Sequence, residues 1–462
     1  MAFSYHKPTR TFCPVCEELD KTIFDTPIIS TFDGKASSAN NFPFHNWYNF
    51  VLGYSPDFPN YIIKKYGISK EHIVLDPFMG TATTNVVVKN LGIKSIGVEA
   101  NDFFIDVAHA KLTWNLDVEK IESLSETILS KIEKHLSKVD FSNTDGIGSL
   151  FDKKELYSYS YKDYIKDRPQ ELPARYISDK PYAKLIIINN IINQSIPKKN
   201  KEVFRFFRLA LDSIIVPCSN VSYGPGFGVK KPKEDFDVME VFTTKLNRMI
   251  EDLKSVKNSP GRETSYQIFH GDSRKLSQYI PENSVDFLMT SPPYPGDHEY
   301  TKHTRLELMF EKHVLSKNDF RIIKKRMLVG STTNIYKECN DRINVAGNKL
   351  ISEVTDEIQK RLDADGATSG FEKLYTKLVW EYFGGMSLVL SEAYKIMKQG
   401  GKFSLLVSDS HAFKMVHIRT AVILADIAKQ VGFSNSEIEL WQNKRSTSHS
   451  YNLREEILTL TK

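Results

Sequence analysis

The spacing of apolar and polar positions changes character several times along the chain. Between about residues 40 and 115, short apolar runs alternate with stretches of helical spacing. Ile73-Val74-Leu75 predicts a buried strand ended by Asp76-Pro77, Thr83 to Leu91 carries a helical pattern, and Ser95-Ile96-Gly97-Val98 predicts a second strand. Strand, turn, helix and strand in so short a span make a βαβ unit, and the crossover helix makes the two strands parallel. From 116 to 262 that rhythm breaks. Asp117 to Lys138 is helical and charged, Phe141 to Tyr182 is rich in Tyr, Ser, Asp and Lys, and Val203 to Ser213 is helix-like again. Lys184–Ile188 has the length of a buried strand. The βαβ rhythm returns at Gln267-Ile268-Phe269 and Val285–Met289. After an irregular stretch from about 295 to 372 come a helical Leu374–Lys398 and strands Lys402–Val407 and Glu456–Leu460.

The expected fold class is therefore α/β: a doubly wound, Rossmann-like sheet interrupted by two insertions, the first mostly helical. The expected divisions are an N-terminal extension (1–40), a first part of the core (41–115), an insertion (116–262) and a second part of the core (263–462) interrupted at about 295–372. Such a sheet binds its ligand beyond the carboxyl ends of its strands, and each motif below falls at such an end.

Composition narrows the class. The 462 residues are 41% hydrophobic and 26% charged, as in a globular protein. No apolar run approaches the ~20 residues that cross a bilayer, and the first residues lack the layout of a signal peptide. A cytoplasmic protein with no membrane partner is expected. A formal charge of +5 permits nucleic-acid binding without demanding it. Four cysteines argue against a disulfide framework. Cys13-Pro14-Val15-Cys16 is half of a zinc site, no second pair follows, and His45 cannot complete the set, so no metal is expected.

The chemistry lies in two loops. In Leu75-Asp76-Pro77-Phe78-Met79-Gly80-Thr81-Ala82-Thr83-Thr84, Gly80 allows a tight turn into a helix whose N-terminal amides favour an anionic group. Asp76 offers a negative charge to an ammonium or sulfonium group. Taken alone, this is also how any N-capped helix follows a strand. Glu99, 23 residues beyond Asp76, stands where an acid grips ribose hydroxyls. The absence of Gly-x-Gly-x-x-Gly and the bulk of Phe78 and Met79 disfavour a dinucleotide, whose diphosphate needs close backbone approach. Asp272, in His270-Gly271-Asp272-Ser273, is expected beside the adenine of the same ligand. The second loop is Met289-Thr290-Ser291-Pro292-Pro293-Tyr294. An exocyclic amine has its lone pair delocalised into the base, so it must be held by acceptors. Ser291 Oγ and the Pro292 carbonyl can accept its two hydrogens, Pro292-Pro293 fixes the backbone, and Tyr294 can stack on a base turned out of a helix. No covalent nucleophile is required.

Together, Ser55-Pro56, Ile62-Ile63, Asp76-Pro77-Phe78-x-Gly80, Glu99-Ala100-Asn101, Gly271-Asp272-Ser273 and Thr290-Ser291-Pro292-Pro293-Tyr294 resemble the amino-methyltransferases of DNA modification. These are the cytosine-N4 and adenine-N6 enzymes, many from restriction–modification systems. Arg305-Leu306-Glu307-Leu308, Leu328–Thr332 and Leu453-Arg454-Glu455-Glu456 look like that family too. The resemblance implies S-adenosylmethionine as cofactor, bound by Asp76, Pro77, Phe78, Gly80, Glu99 and Asp272, and a catalytic loop of Ser291, Pro292, Pro293 and Tyr294. It implies double-stranded DNA as partner, with a cognate restriction endonuclease a candidate second one. Serine at 291 tilts the target toward cytosine N4 over adenine N6. Ala82 departs from the family's second glycine and is tolerable there if its φ is negative. The 116–262 insertion is then the candidate target-recognition region.

For DNA contacts we select Tyr223, Lys230 and Lys231, which flank a glycine-rich loop, and Arg305. Lys198, Lys199, Lys201, Arg205 and Arg208 form a second basic cluster, which reads equally well as a solvated face. Pro217-Cys218, after Ile214-Ile215-Val216, has the look of a strand-end loop, but a buried cysteine is preferred to a nucleophile there. The competing functions are an RNA methyltransferase of the tRNA guanine-N2 type and a non-catalytic DNA-binding protein of the same fold.

Overall fold

The computed structural model describes residues 42–142, 157–197, 199–223, 227–296, 299–366, 369–445 and 452–462. Cys13, Cys16, Lys198 and Gly224 to Gly226 lie outside them. Seven strands form the central sheet: β1 (Ile73–Asp76), β2 (Lys94–Glu99), β3 (Tyr266–His270), β4 (Val285–Thr290), β5 (Met397–Ser408), β6 (Asn435–Arg445) and β7 (Asn452–Thr461). Their order across the sheet is β3-β2-β1-β4-β5-β7-β6. The first five are parallel and β7 runs antiparallel to both its neighbours. Strand order reverses between β1 and β4, so the crevice beyond their carboxyl ends is where ligands enter a sheet of this kind.

Helix α1 (Asp57–Tyr66) begins where Ser55 Oγ accepts from the Asp57 amide at 3.2 Å, and it ends at Gly67 with φ 61°. Its Phe58, Ile62 and Ile63 pack on Val74 of β1 and on Val87 and Val88 of α2 (Thr83–Asn90). Helix α3 (Asp102–Leu112) follows β2, N-capped by the Asn101 side chain, which accepts from Phe103 N at 3.1 Å.

The stretch between α3 and β3 is mostly helical, as expected, with α4 (Val118–Leu136), α5 (Asp179–Ser195), α6 (Lys201–Cys218) and α7 (Val238–Ser255). One apolar core joins these helices to Phe103, Val107, Trp47 and Trp114, and to Leu306–Phe310 from beyond β4. Two expectations are corrected here. Lys184–Ile188 lies within α5, whose buried Tyr182, Leu185, Ile188 and Ile192 recur at helical spacing; a short apolar run does not by itself distinguish a strand from a buried helix. Ile214–Val216 is the last turn of α6, and Pro217 is accommodated at its end. Cys218 is fully buried, and that burial pushes its thiol up to about 12, so it is a core residue and no nucleophile.

Beyond β4 come α8 (Lys317–Arg326) and α9 (Lys349–Ala364), then α10 (Tyr375–Ile396) and α11 (Thr420–Val431), which cover the sheet with a second apolar core. A Cβ at Gly384 of α10 would lie 2.2 Å from the Asp341 carbonyl oxygen, so only glycine lets the 341–345 segment seat there. Neither α11 nor β6 was anticipated. β6 is an edge strand paired only with β7, and its polar sequence is what an exposed edge tolerates. No helix among the described residues is long and apolar enough to cross a membrane.

Candidate active site

The first loop is held from below. Asp76, the last residue of β1, is fully buried. Its Oδ1 accepts from Thr290 Oγ1 at 2.6 Å and from the Phe78 amide at 3.0 Å, and its Oδ2 accepts from Tyr54 OH at 2.8 Å. Burial raises its pKa to about 6 against the opposing pull of those donors. Asp76 thus lies beneath the cleft, does not line it, and fixes the turn above it. The turn itself runs through Gly80 at φ 51° and Ala82 at φ 64°. The condition of a negative φ at Ala82 is thus not met, and a non-glycine residue occupies the left-handed region at the start of α2. The Lys111 ammonium, buried and lowered to about 7 by that burial, donates to the Thr81 carbonyl at 2.8 Å.

Glu99 ends β2. Its two oxygens accept from the Gly80 amide and the Asn101 amide, each at 2.7 Å. Burial raises its pKa to about 7, against the pull of the surrounding amides. Met79 fills the space over Gly97, where a Cβ would meet its sulfur at 2.2 Å, so glycine at 97 lets the turn close on β2. Asp272, after β3, is gripped by Arg274, whose Nη2 lies 2.8 Å from Oδ2. The same guanidinium reaches Asp341 at 2.6 Å and the Lys325 carbonyl at 2.9 Å, tying this corner to the segment after β4. Ser273 Oγ donates to the Pro77 carbonyl, which joins the two cofactor-side loops.

The second loop leaves β4 at Thr290. Ser291 Oγ and Tyr294 OH lie 2.9 Å apart, and Tyr294 OH also reaches Glu455 Oε1 at 3.3 Å. Burial, with Glu455 second, raises the Tyr294 phenol well above its ordinary value. Ser410 Oγ donates to the Pro295 carbonyl at 2.8 Å and anchors the end of the loop to the chain after β5.

One cleft is lined by Pro77, Phe78, Gly80, Glu99 and Asp272 from one side and by Ser291, Pro293 and Tyr294 from the other. The loops, 215 residues apart in sequence, therefore face the same space. Pro292 is buried and does not line it. Sequence reasoning missed Tyr54, Arg274 and Arg326, all at the cleft wall. Arg274 adjoins Gly271-Asp272-Ser273, and Tyr54 adjoins Ser55-Pro56, so proximity to a motif was the available signal.

None of the four residues selected for DNA contacts lines this cleft. Lys230 and Lys231 are exposed. The Tyr223 ring packs against His303 at 5.4 Å, and burial raises its phenol far above the ordinary range, so it faces inward. Arg305 is half-buried with its guanidinium 5.3 Å over Phe320. In the basic cluster, Arg205 pairs with the half-exposed Asp106 at 3.4 Å, whereas Arg208 pairs with Asp212 and Glu311 and is a largely buried tie.

A mostly parallel sheet of this order, with an acid at the end of β2 and a loop over β4 closing on the same cleft, defines a Rossmann-like methyltransferase fold. A family model described as DNA methylase matches residues 21–110, which include the Asp76 turn and Glu99. The type II methyltransferase M.BsoBI of Geobacillus stearothermophilus is 24% identical over 484 aligned residues, covering 95% of this chain and 89% of its own. M.AvaI of Anabaena variabilis is 21% identical, covering 86% and 80%. M.HinfI of Haemophilus influenzae is 36% identical over 113 residues, covering 23% and 31%. The chain belongs to the DNA amino-methyltransferase family. It is a DNA methyltransferase of the N4/N6 kind, and methyltransferases of this type use S-adenosylmethionine.

Proposed function

We propose that the protein methylates cytosine N4 in preference to adenine N6, at a specific site in duplex DNA, as the modification enzyme of a restriction–modification system. The observation that carries this reading is the single cleft shared by the Pro77–Gly80 turn and the Ser291–Tyr294 loop. The donor set suits S-adenosylmethionine. Glu99 offers carboxylate oxygens to ribose hydroxyls, Asp272 offers them to the adenine side, and Phe78, Val98 and Leu328 supply apolar walls for a flat base. When bound, that cofactor supplies an electrophilic methyl group on a sulfonium.

In this reading the chain's own residues position the acceptor. Ser291 Oγ accepts an amine hydrogen and Tyr294 flanks the base, while the buried Pro292 fixes the backbone between them, so the attacking nitrogen is oriented without a covalent intermediate. Asp76 acts through Thr290 and the Phe78 amide, holding both loops. The 116–262 insertion is assigned to target recognition and the residues from 263 onward to the second part of the core. Serine at 291 favours cytosine N4.

Incubation with labelled S-adenosylmethionine and either duplex DNA or tRNA tests the substrate class. Label in DNA supports the reading and label confined to tRNA ends it. Single-molecule sequencing of DNA from cells expressing the protein then reports the modified base and its context. N6-methyladenine at a defined site would overturn the cytosine assignment.

A further inference from the structure

A groove of about 710 Å³ opens along α8, in the segment after β4 and outside the cofactor cleft. Seven cationic side chains and two carboxylates line it. That local excess of five positive charges equals the +5 of the entire chain, so the basic balance is not spread evenly. The two carboxylates are already engaged: Glu299 holds Lys324 at 3.0 Å and Glu338 faces Lys325 at 3.9 Å. Among the described residues, Lys302, Lys317, Arg321 and Lys337 are exposed and make no ion pair, and Arg305 lies over Phe320 at the groove wall.

The helix is built to present this face. Ser316 and Asp319 form a capping box at its N-terminus, and Phe320 and Ile323 are turned into the core. Lys317, Arg321 and Lys325 then recur four residues apart on the solvent side. Ile322 beside them is 53% exposed. The helix ends in the cleft, because Arg326, Met327 and Leu328 line it and the Lys325 carbonyl accepts from Arg274. Exposed cations in a row beside an apolar side chain suit a polyanion with sugar edges, and electrostatic contacts of this kind fix register on a nucleic acid.

We propose that this groove seats the phosphodiester backbone of the DNA strand next to the target base, with Lys317 and Arg321 on phosphates. The proposal rests on the DNA reading above, and it gives the segment after β4, rather than the 116–262 insertion alone, a share in holding the substrate.

The test is binding of a fluorescent duplex to the full chain over a salt series, for wild type, Lys317→Ala/Arg321→Ala and Lys317→Glu/Arg321→Glu. Cofactor affinity and thermal melting are measured alongside. The double alanine variant is expected to bind at least about tenfold more weakly, with the slope of log K against log salt reduced by about two, since each phosphate contact contributes about 0.9. Charge reversal is expected to weaken binding further, with cofactor affinity and melting unchanged. Unaltered affinity and slope in variants that still melt as wild type would overturn the groove while leaving the methyltransferase reading intact. A wild type that transfers no label to DNA and binds no duplex at low salt would overturn both.

Discussion

Thr290 and Asp76 end neighbouring strands and share a hydrogen bond of 2.6 Å in a fully buried site. β1 and β4 are the two strands at which the sheet reverses its order. Through this bond, the loop that follows one strand and the loop that follows the other are fixed to the same carboxylate. A displacement of either is felt by both.

Replacing Thr290 by valine keeps the shape and removes the donor. Asp76 keeps Tyr54 OH, the Phe78 amide and the Thr84 hydroxyl, and a buried carboxylate that loses one donor costs about 1–3 kcal/mol. Thr290→Val is therefore expected to lower the unfolding free energy by that amount, and the urea midpoint with it, to raise the Asp76 pKa further, and to weaken both cofactor binding and turnover. Chemical denaturation with a cofactor titration checks it. An unchanged midpoint and affinity would remove Asp76 as the tie between the loops.

Ala82 at φ 64° sets two effects against each other. The left-handed conformation costs an L-residue about 1–2 kcal/mol, whereas the fully buried Ala82 methyl gains about 0.8 kcal/mol by its burial. Ala82→Gly removes both and adds the entropy of a freer unfolded chain, so it is expected to change stability by less than about 1 kcal/mol. Ala82→Val adds a β-branched side chain in a conformation it rarely adopts and overfills the core, and is expected to cost more than about 2 kcal/mol. Denaturation of the two variants side by side checks it. A glycine variant destabilised as much as the valine one would contradict the strain.

What could be read in the sequence was what local spacing determines. The strands before Asp76, Glu99, Asp272 and Ser291 carry apolar runs ended by a turn signal, and each is a strand in the structure. That the two loops share one space follows from β1 and β4 being neighbours, which no local pattern encodes. The direction of the Asp76 carboxylate was illegible for the same reason, because its donors Tyr54 and Thr290 come from distant segments. Arg208 looked like part of a surface patch because its partners Asp212 and Glu311 become visible only once the helices pack. The groove along α8 escaped notice because its cations are gathered from three separate segments.

Glu99 makes the cleft sensitive to pH. Its pKa rises from 4.5 to about 7 on folding, chiefly through burial, and that of Asp76 rises from 3.8 to about 6. A raised folded pKa means that the native state binds the proton more tightly. The stability these two groups contribute is full below their unfolded values and is lost as pH rises through about 6 to 7. Lys111 acts in the opposite sense: lowered from 10.5 to about 7, it makes stability rise with pH between those values. Glu99→Gln is expected to flatten the acid-side dependence in ligand-free melts and to weaken cofactor binding. In wild type, affinity should strengthen as pH passes upward through about 7, where the carboxylate ionises. Melting and cofactor titrations across that range check it, and a wild-type profile superimposing on that of the glutamine variant would contradict the assignment.

Tyr294 separates two contributions of one side chain. Its hydroxyl lies 2.9 Å from Ser291 Oγ and 3.3 Å from Glu455, while its ring lines the cleft. If the hydroxyl mattered most, Tyr294→Phe would be nearly as damaging as Tyr294→Ala. The proposed role assigns the larger part to the ring, since stacking on a base is worth about 1–3 kcal/mol, or roughly 5- to 150-fold. Tyr294→Phe also releases Ser291 Oγ from its partner, leaving it freer to accept an amine hydrogen. The expected order is therefore wild type and Tyr294→Phe within about threefold of one another, with Tyr294→Ala lower by the stacking range above. Cofactor affinity should be nearly constant in all three, because the tyrosine belongs to the acceptor side of the cleft. Single-turnover methyl transfer with cofactor titrations measures each quantity separately. A phenylalanine variant as inactive as the alanine one would shift the weight from the ring to the hydroxyl and its contact with Ser291.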